Sequence, residues 1–203
     1  MSIRAVTVLL ASVLVGVVVT SVIAQDAPPN PRVLVETSEG DFEIELFRSE
    51  VPATVVNFLT YVLAGYYDGT IFHRVIRDVI IQGGGFVDDG SDALVPKIEG
   101  LRGRILNEAD RSQRNREGTI AMARAAEPNS ARQQFFINLD TNLGFDHQNR
   151  TPEGFGYAVF GRVTDGMNVV RKIGRTRTMT KGRDENVPRE TVTIRKITRI
   201  EVN

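Results

Sequence analysis

The chain has 203 residues, 41% of them hydrophobic and 25% charged, enough for one globular domain with a proper core. Lysine plus arginine and aspartate plus glutamate both number 25, so the overall balance directs the chain neither to nucleic acid nor to an anionic membrane surface. Cysteine is absent, which excludes disulfides, thiolate metal sites and thiol chemistry.

From Ala5 to Ala24 the chain is almost wholly apolar and small, with Arg4 before it and Gln25-Asp26-Ala27-Pro28-Pro29-Asn30-Pro31 after it. This pattern predicts an export signal over residues 1–24, cleaved after Val22-Ile23-Ala24 to leave Gln25 first. An uncleaved anchor is the competing reading, because ~20 apolar residues suffice to span a bilayer. Either way the expected site of action is outside the cytoplasm, most simply a bacterial periplasm. Residues 25–31 read as a proline-rich extended linker, and 32–203 as the folded domain.

Val33 and Val35 alternate with polar neighbours, and Phe42, Ile44 and Leu46 do the same after Ser38-Glu39-Gly40, which predicts a hairpin. After Val51-Pro52, the residues Val55, Phe58, Leu59, Val62 and Leu63 recur at helical spacing up to Gly65. Short apolar runs follow: Thr70 to Ile76, Val79 to Gln82, Thr119 to Met122, Gln134 to Asn138, Tyr157 to Val163 and Thr191 to Val202. Met167, Val170 and Ile173 predict a second helix ending at Gly174, and a slipped alternation between Ile194 and Ile197 suggests a bulge. The basic stretch Arg102 to Arg116, broken by Glu108 and Asp110, reads as a solvated loop. Periodicity alone stops at a β-rich domain.

Three segments carry more. Phe72-His73-Arg74-Val75-Ile76 with Ile81-Gln82-Gly83-Gly84-Gly85-Phe86, then Gly118-Thr119-Ile120-Ala121-Met122-Ala123, then Ser130-Ala131-Arg132-Gln133-Gln134-Phe135-Phe136-Ile137-Asn138 resemble, in order and spacing, the signature blocks of cyclophilins. Gly156-Tyr157-Ala158-Val159-Phe160-Gly161 is similar to a later strand of that family, and the likeness runs from about Val33 to Val202. The resemblance, closest to exported bacterial members, implies a mainly β fold. The expected architecture is a closed eight-stranded antiparallel barrel capped by two α-helices. It also implies prolyl isomerase activity, no cofactor, and a monomer.

The chemistry accords with those residue types. A peptide bond resists rotation by about 18–20 kcal/mol because the nitrogen lone pair is shared with the carbonyl, and only X-Pro bonds populate cis appreciably. A permanently charged guanidinium aimed at the prolyl nitrogen would draw that pair out of resonance. By resemblance Arg74 is that donor, Gln82 supports it and holds the substrate backbone, and Phe136 floors the proline pocket. Val79, Ile80, Phe145 and Tyr157 are expected to line the pocket or its rim. Ala123, Arg124, Ala125 and Gln134 are expected to bind the residues before proline, and Phe72 is placed with the substrate-contacting set. No nucleophile, general base or metal is required.

Two departures stand out. Arg77-Asp78-Val79-Ile80 replaces the family's common Pro-Gly-Phe-Met, so an aromatic wall becomes aliphatic and the pocket should widen. In Asn142-Leu143-Gly144-Phe145-Asp146-His147, the usual aromatic position falls on Gly144, unless a one-residue offset lets Phe145 serve. Each lost ring contact, worth about 0.5–1.5 kcal/mol, would cost up to about tenfold in efficiency. Other features have plainer readings. His73 reads as a buried structural residue facing away from Arg74, His147 as a loop hydrogen-bonder, and Gly83-Gly84-Gly85 as a close-approach turn. Asn149-Arg150-Thr151 is a formal glycosylation sequon weakened by Pro152. The expected partners are proline-containing polypeptides, chiefly unfolded exported proteins; a cyclosporin-type inhibitor is a candidate by resemblance, and the two departures leave its binding open. No nucleic acid partner is expected, and the membrane enters only if the signal is retained. A module of a different class, binding proline segments without turnover, would use the same groove.

Overall fold

Alternation becomes pleat at the start of the domain. Strand β1 (Arg32–Thr37) turns at Ser38-Glu39 into β2 (Gly40–Leu46), and their apolar residues Val33, Val35, Phe42, Ile44 and Leu46 are all buried. The computed structural model describes residues 29–200, so the expected export signal and the first part of the expected linker lie outside the described residues. Helix α1 (Pro52–Leu63) follows with proline in its first turn. It buries Val55, Phe58, Leu59 and Val62, whereas Leu63 is 74% exposed, because 100° per residue carries it past the buried arc.

The remaining strands are β3 (Phe72–Ile76), β4 (Ile80–Gly83), β5 (Phe86–Val87), β6 (Val95–Pro96), β7 (Thr119–Met122), β8 (Phe135–Asn138) and β9 (Val159–Asp165). Helix α2 (Met167–Gly174), β10 (Thr178–Lys181), β11 (Asp184–Pro188) and β12 (Ile194–Ile200) complete the chain. Eight strands form one antiparallel sheet in the order β12-β1-β2-β9-β7-β8-β4-β3. The pairs β5-β6 and β10-β11, which no apolar alternation announced, stand apart from it.

The strand number agrees with the expected barrel; closure does not. The end strands β12 and β3 are joined where they begin, at the bridge Ile71↔Thr193, with Phe72 N–H donating to Val192 C=O (2.9 Å), Ile194 N–H to Thr70 C=O (2.7 Å) and Gly69 N–H to Ile194 C=O (2.9 Å). Beyond Phe72 the edge of β3 is flanked by β11, so β12 cannot extend the pairing, and the sheet is an open half-barrel. Its concave face is filled by α1: the Phe58 ring lies 5.1–5.7 Å from those of Phe160, Tyr67 and Phe135.

Two bulges set which side chains face where. On β12, Glu36 pairs with Lys196 and Thr37 with Ile194, leaving Arg195 unpaired where the alternation slips. On β3, Phe72 pairs with Gly83 but Arg74 pairs with Gln82, so His73 is the extra residue. One extra residue exchanges faces. Phe72 turns into the core, and Arg74 turns out with Gln82.

The irregular run before β7 is tied to α1 by polar contacts. The helix has no cap of its own at Val51; instead the buried Glu108 carboxylate accepts from Thr54 N–H and Thr54 Oγ1, both at 2.8 Å. Tyr61 Oη accepts from Arg102 N–H at 2.9 Å. The arginines of this run, Arg102, Arg104, Arg111, Arg114 and Arg116, are exposed.

Candidate active site

Register brings the predicted residues into one row. Arg74 opposes Gln82 across β3-β4, Gln82 opposes Phe136 across β4-β8, and Phe136 opposes Ala121 across β7-β8. Adjacent strands lie about 4.8 Å apart, so the backbones bearing Arg74 and Phe136 are separated by about 10 Å, a span suited to a few residues of extended chain. Along this row Arg74 Nη1 donates to Gln82 Oε1 at 3.3 Å, and Gln82 Nε2 donates to Gln134 Oε1 at 3.0 Å. Gln134 rests on Gly85, where any Cβ would come within 2.4 Å of its amide, so the close-packed glycine run makes room for this amide relay. Ala123 N–H donates to the Gln134 carbonyl at 2.9 Å, which fixes the adjoining wall.

At the other end three rings form a recess. Phe136 lies 5.7 Å from Phe145 and 5.4 Å from Tyr157, and those two are 5.4 Å apart, all edge-on. Phe145 closes the 3-10 turn Leu143–Phe145, while Gly144 is exposed with nothing within 4 Å of where its Cβ would stand. Phe145 therefore supplies the ring that Gly144 lacks. Val79 is half-buried beside this turn, its carbonyl accepting from Leu139 N–H (2.9 Å) and Asn142 Nδ2 (3.0 Å). Ile80 is 4% exposed on the same face as Gln82, so the wall on this side is aliphatic.

Two expected contacts are relocated. Phe72 is wholly buried, with its ring 6.1 Å from that of Phe135; the His73 bulge removes it from the groove, and it supports the strand from beneath. Arg124 is occupied within the protein: Nε donates to Gly156 O (2.9 Å), Nη1 to Ala125 O (3.0 Å) and Ala126 O (2.9 Å), and Nη2 to Pro152 O (2.8 Å). Its guanidinium also lies 4.9 Å from the Tyr157 ring centroid. It clamps the 152–157 loop against the 123–126 segment. Gly156, at φ +77°, completes the joint, since a Cβ there would meet the backbone of residues 145–147 at 2.6–2.7 Å.

Beside Ala123, Ala125 and Gln134 lies a hollow of ≈ 360 Å³. Leu101, Ser130 and Arg132 complete its wall, and sequence reasoning missed them because they come from irregular segments with no period. The histidines do not line the groove row. His73 is 6% exposed, its ring 4.5 Å from that of Phe86, and burial pushes its pKa down to about 4. His147 Nδ1–H donates to the Phe155 carbonyl at 2.9 Å.

An outward groove on an antiparallel half-barrel, with a guanidinium and two amides along it and an aromatic recess at one end, is a site for an extended polypeptide with one apolar ring. Residues 32–199 match the profile of the family described as cyclophilin type peptidyl-prolyl cis-trans isomerase. Peptidyl-prolyl cis-trans isomerase cyp18 of Streptomyces antibioticus is 49% identical over 160 residues, 78% of this chain and 92% of that protein. Peptidyl-prolyl cis-trans isomerase B of Escherichia coli K12 is 43% identical, over 80% and 95% of the two chains. Among solved structures, a cyclophilin type isomerase of Cryptosporidium parvum, crystallised in the presence of the dipeptide Ala-Pro, superposes with a TM-score of 0.66 at 27% identity, over 85% of this chain and 99% of that one. The chain belongs to the cyclophilin-type peptidyl-prolyl cis-trans isomerase family, and isomerisation of the bond before proline is its activity.

Proposed function

We propose that this isomerase acts on X-Pro bonds of exported polypeptides as they fold outside the cytoplasm, with Arg74 as the catalytic residue. The proline ring enters the recess over Phe136, bounded by Phe145 and Tyr157. The chain before it runs along Ala123, Ala125 and Gln134. This puts the prolyl nitrogen under the Arg74 guanidinium, whose N–H groups bond the lone pair as it leaves conjugation. A preorganised donor of this kind is worth about 10²–10³ in rate. Gln82 holds the guanidinium on one side and is itself held by Gln134, so little reorganisation accompanies the rotation.

The observation that carries this reading is the hydrogen-bonded line Arg74–Gln82–Gln134 sharing one sheet face with the Phe136 recess. Action on exported clients rests on the apolar residues 5–24 with Arg4 before them. Among the described residues no helix is long and apolar enough to cross a membrane. Expression of the full chain in a bacterial host, with fractionation and intact-mass measurement, tests this part. A chain beginning at Gln25 outside the cytoplasm, which speeds refolding of a proline-limited exported protein, is the expected result. A full-length chain retained in the cytoplasm would refute it.

A further inference from the structure

The hairpin β10-β11 borders a hollow of ≈ 490 Å³ beside the β11-flanked edge of β3 that shares no residue with the groove described above. Its size lies within the range of about 300–1,000 Å³ typical of small-molecule sites. Four arginines line it: Arg77 from the β3-β4 turn, Arg175 and Arg177 after α2, and Arg189 after β11. The three segments are sewn together through backbone carbonyls. Arg77 Nη2 donates to Arg175 O (3.4 Å), Arg189 N–H to Arg177 O (2.8 Å), and Arg189 Nε to Thr178 O (3.4 Å).

No ion pair among the described residues answers this charge. The six ion pairs among the described residues include none of the four arginines. Asp78, beside Arg77 in the chain, opens on a neighbouring hollow that Arg171 and Arg175 also line but pairs with neither, and Glu185 and Glu190 are exposed and form no ion pair among the described residues. Arg177 and Arg189 stand opposite one another at the base of the hairpin, an arrangement that costs stability when nothing lies between like charges. Asn186, at φ +61° in the β11 bulge, adds an amide to the lining, and Thr176 and Thr178 contribute as well. The formal net charge of the chain is zero, so the cluster is local and not the overflow of a basic protein.

We propose that this hollow binds an anion bearing two or more phosphoryl groups. Guanidinium forks match phosphate oxygens two at a time, and four cations in no ion pair among the described residues match the charge of such a ligand. Among the described residues the Arg175 and Arg177 side chains make no hydrogen bond, so both can turn to a ligand without loss to the fold.

Inorganic tripolyphosphate, titrated into the ¹⁵N-labelled full chain, is expected to shift the Nε–H signals of Arg77, Arg175, Arg177 and Arg189. Arg175→Ala with Arg177→Ala should weaken binding at least about tenfold, as two charged hydrogen-bonding partners are lost, and leave isomerisation unchanged. Arg114→Ala with Arg116→Ala removes the same charge from an exposed loop and should leave binding as it was. Vesicles of cardiolipin, whose headgroup carries two phosphates, and phosphatidylcholine, one to three, identify the source. Vesicle binding that tripolyphosphate displaces assigns the phosphate to a lipid headgroup; tripolyphosphate binding without vesicle binding assigns it to a soluble ligand. Equal weakening in both double variants, or no shift at Arg175 and Arg177 with millimolar tripolyphosphate, would overturn the proposal.

Discussion

Arg74 and Gln82 oppose each other across β3-β4, and Arg74 Nη1 donates to Gln82 Oε1 at 3.3 Å. Because Gln82 is anchored in turn to Gln134, the amide acts as a positioning residue for the guanidinium. Gln82→Ala should lower kcat/KM about 10–100-fold, the equivalent of one or two hydrogen bonds in the transition state, without altering the unfolding free energy by more than about 1 kcal/mol. Gln82→Glu should fare worse than Gln82→Asn, since a carboxylate would pair with Arg74 and quench its pull on the prolyl nitrogen. Steady-state kinetics of the two variants side by side decide this.

Arg124 makes four hydrogen bonds to carbonyl groups and stacks on Tyr157, a load that an ammonium cannot carry. Both Arg124→Ala and Arg124→Lys should raise KM about three- to tenfold, and each should cost ~1–2 kcal/mol of stability, because water replaces only part of what the half-buried guanidinium holds. Peptide kinetics combined with urea unfolding would show it. Unchanged KM in the lysine variant would mean that the clamp does not shape the recess.

Glu108 caps a helix 54 residues away in sequence. Glu108→Ala leaves the first turn of α1 with unmet donors and should destabilise the domain by about 1–2 kcal/mol, while Glu108→Gln, which keeps one acceptor, should recover roughly half. Chemical denaturation midpoints provide the readout.

His73 gives a pH dependence of definite sign. Its folded pKa, held down to about 4 from the ordinary 6.5 mainly by burial, means that the unfolded chain takes the proton first. Stability is therefore full above pH 6.5 and falls as pH drops from there toward 4, by an amount on the order of 3 kcal/mol. His73→Phe, packed against Phe86, should flatten that part of the curve. Wild type and variant followed by urea unfolding from pH 7.5 to 4.5 should diverge, and parallel curves would contradict the assignment.

Much of the site was legible because the blocks around Arg74, Ala123 and Phe136 lie on short strands with plain spacing. The orientation of Phe72 was not, since strict alternation puts it on the face of Arg74 and only the His73 bulge turns it inward. The same holds for Arg124, whose four acceptors come from loops that carry no period. The hairpin β10-β11 was missed because its largely polar residues, of which only Val187 and Pro188 are buried, neither alternate nor recur at helical spacing. Barrel closure was expected from resemblance; it depends on how far β3 and β12 overlap, which strand length does not reveal. Phe145 and Gly144 could be told apart only once the 3-10 turn had placed one ring against Phe136.

NMR exchange spectroscopy on a series of X-Pro peptides, with the chain and its Arg74→Ala variant at equal concentration, tests the central claim most directly. Acceleration by the wild type that falls about 100-fold or more in a variant of unchanged fold and undiminished peptide binding is the predicted result. Equal acceleration by the two proteins would contradict the role of Arg74, and peptide binding by wild type without acceleration would make the groove a proline-binding site and no catalyst.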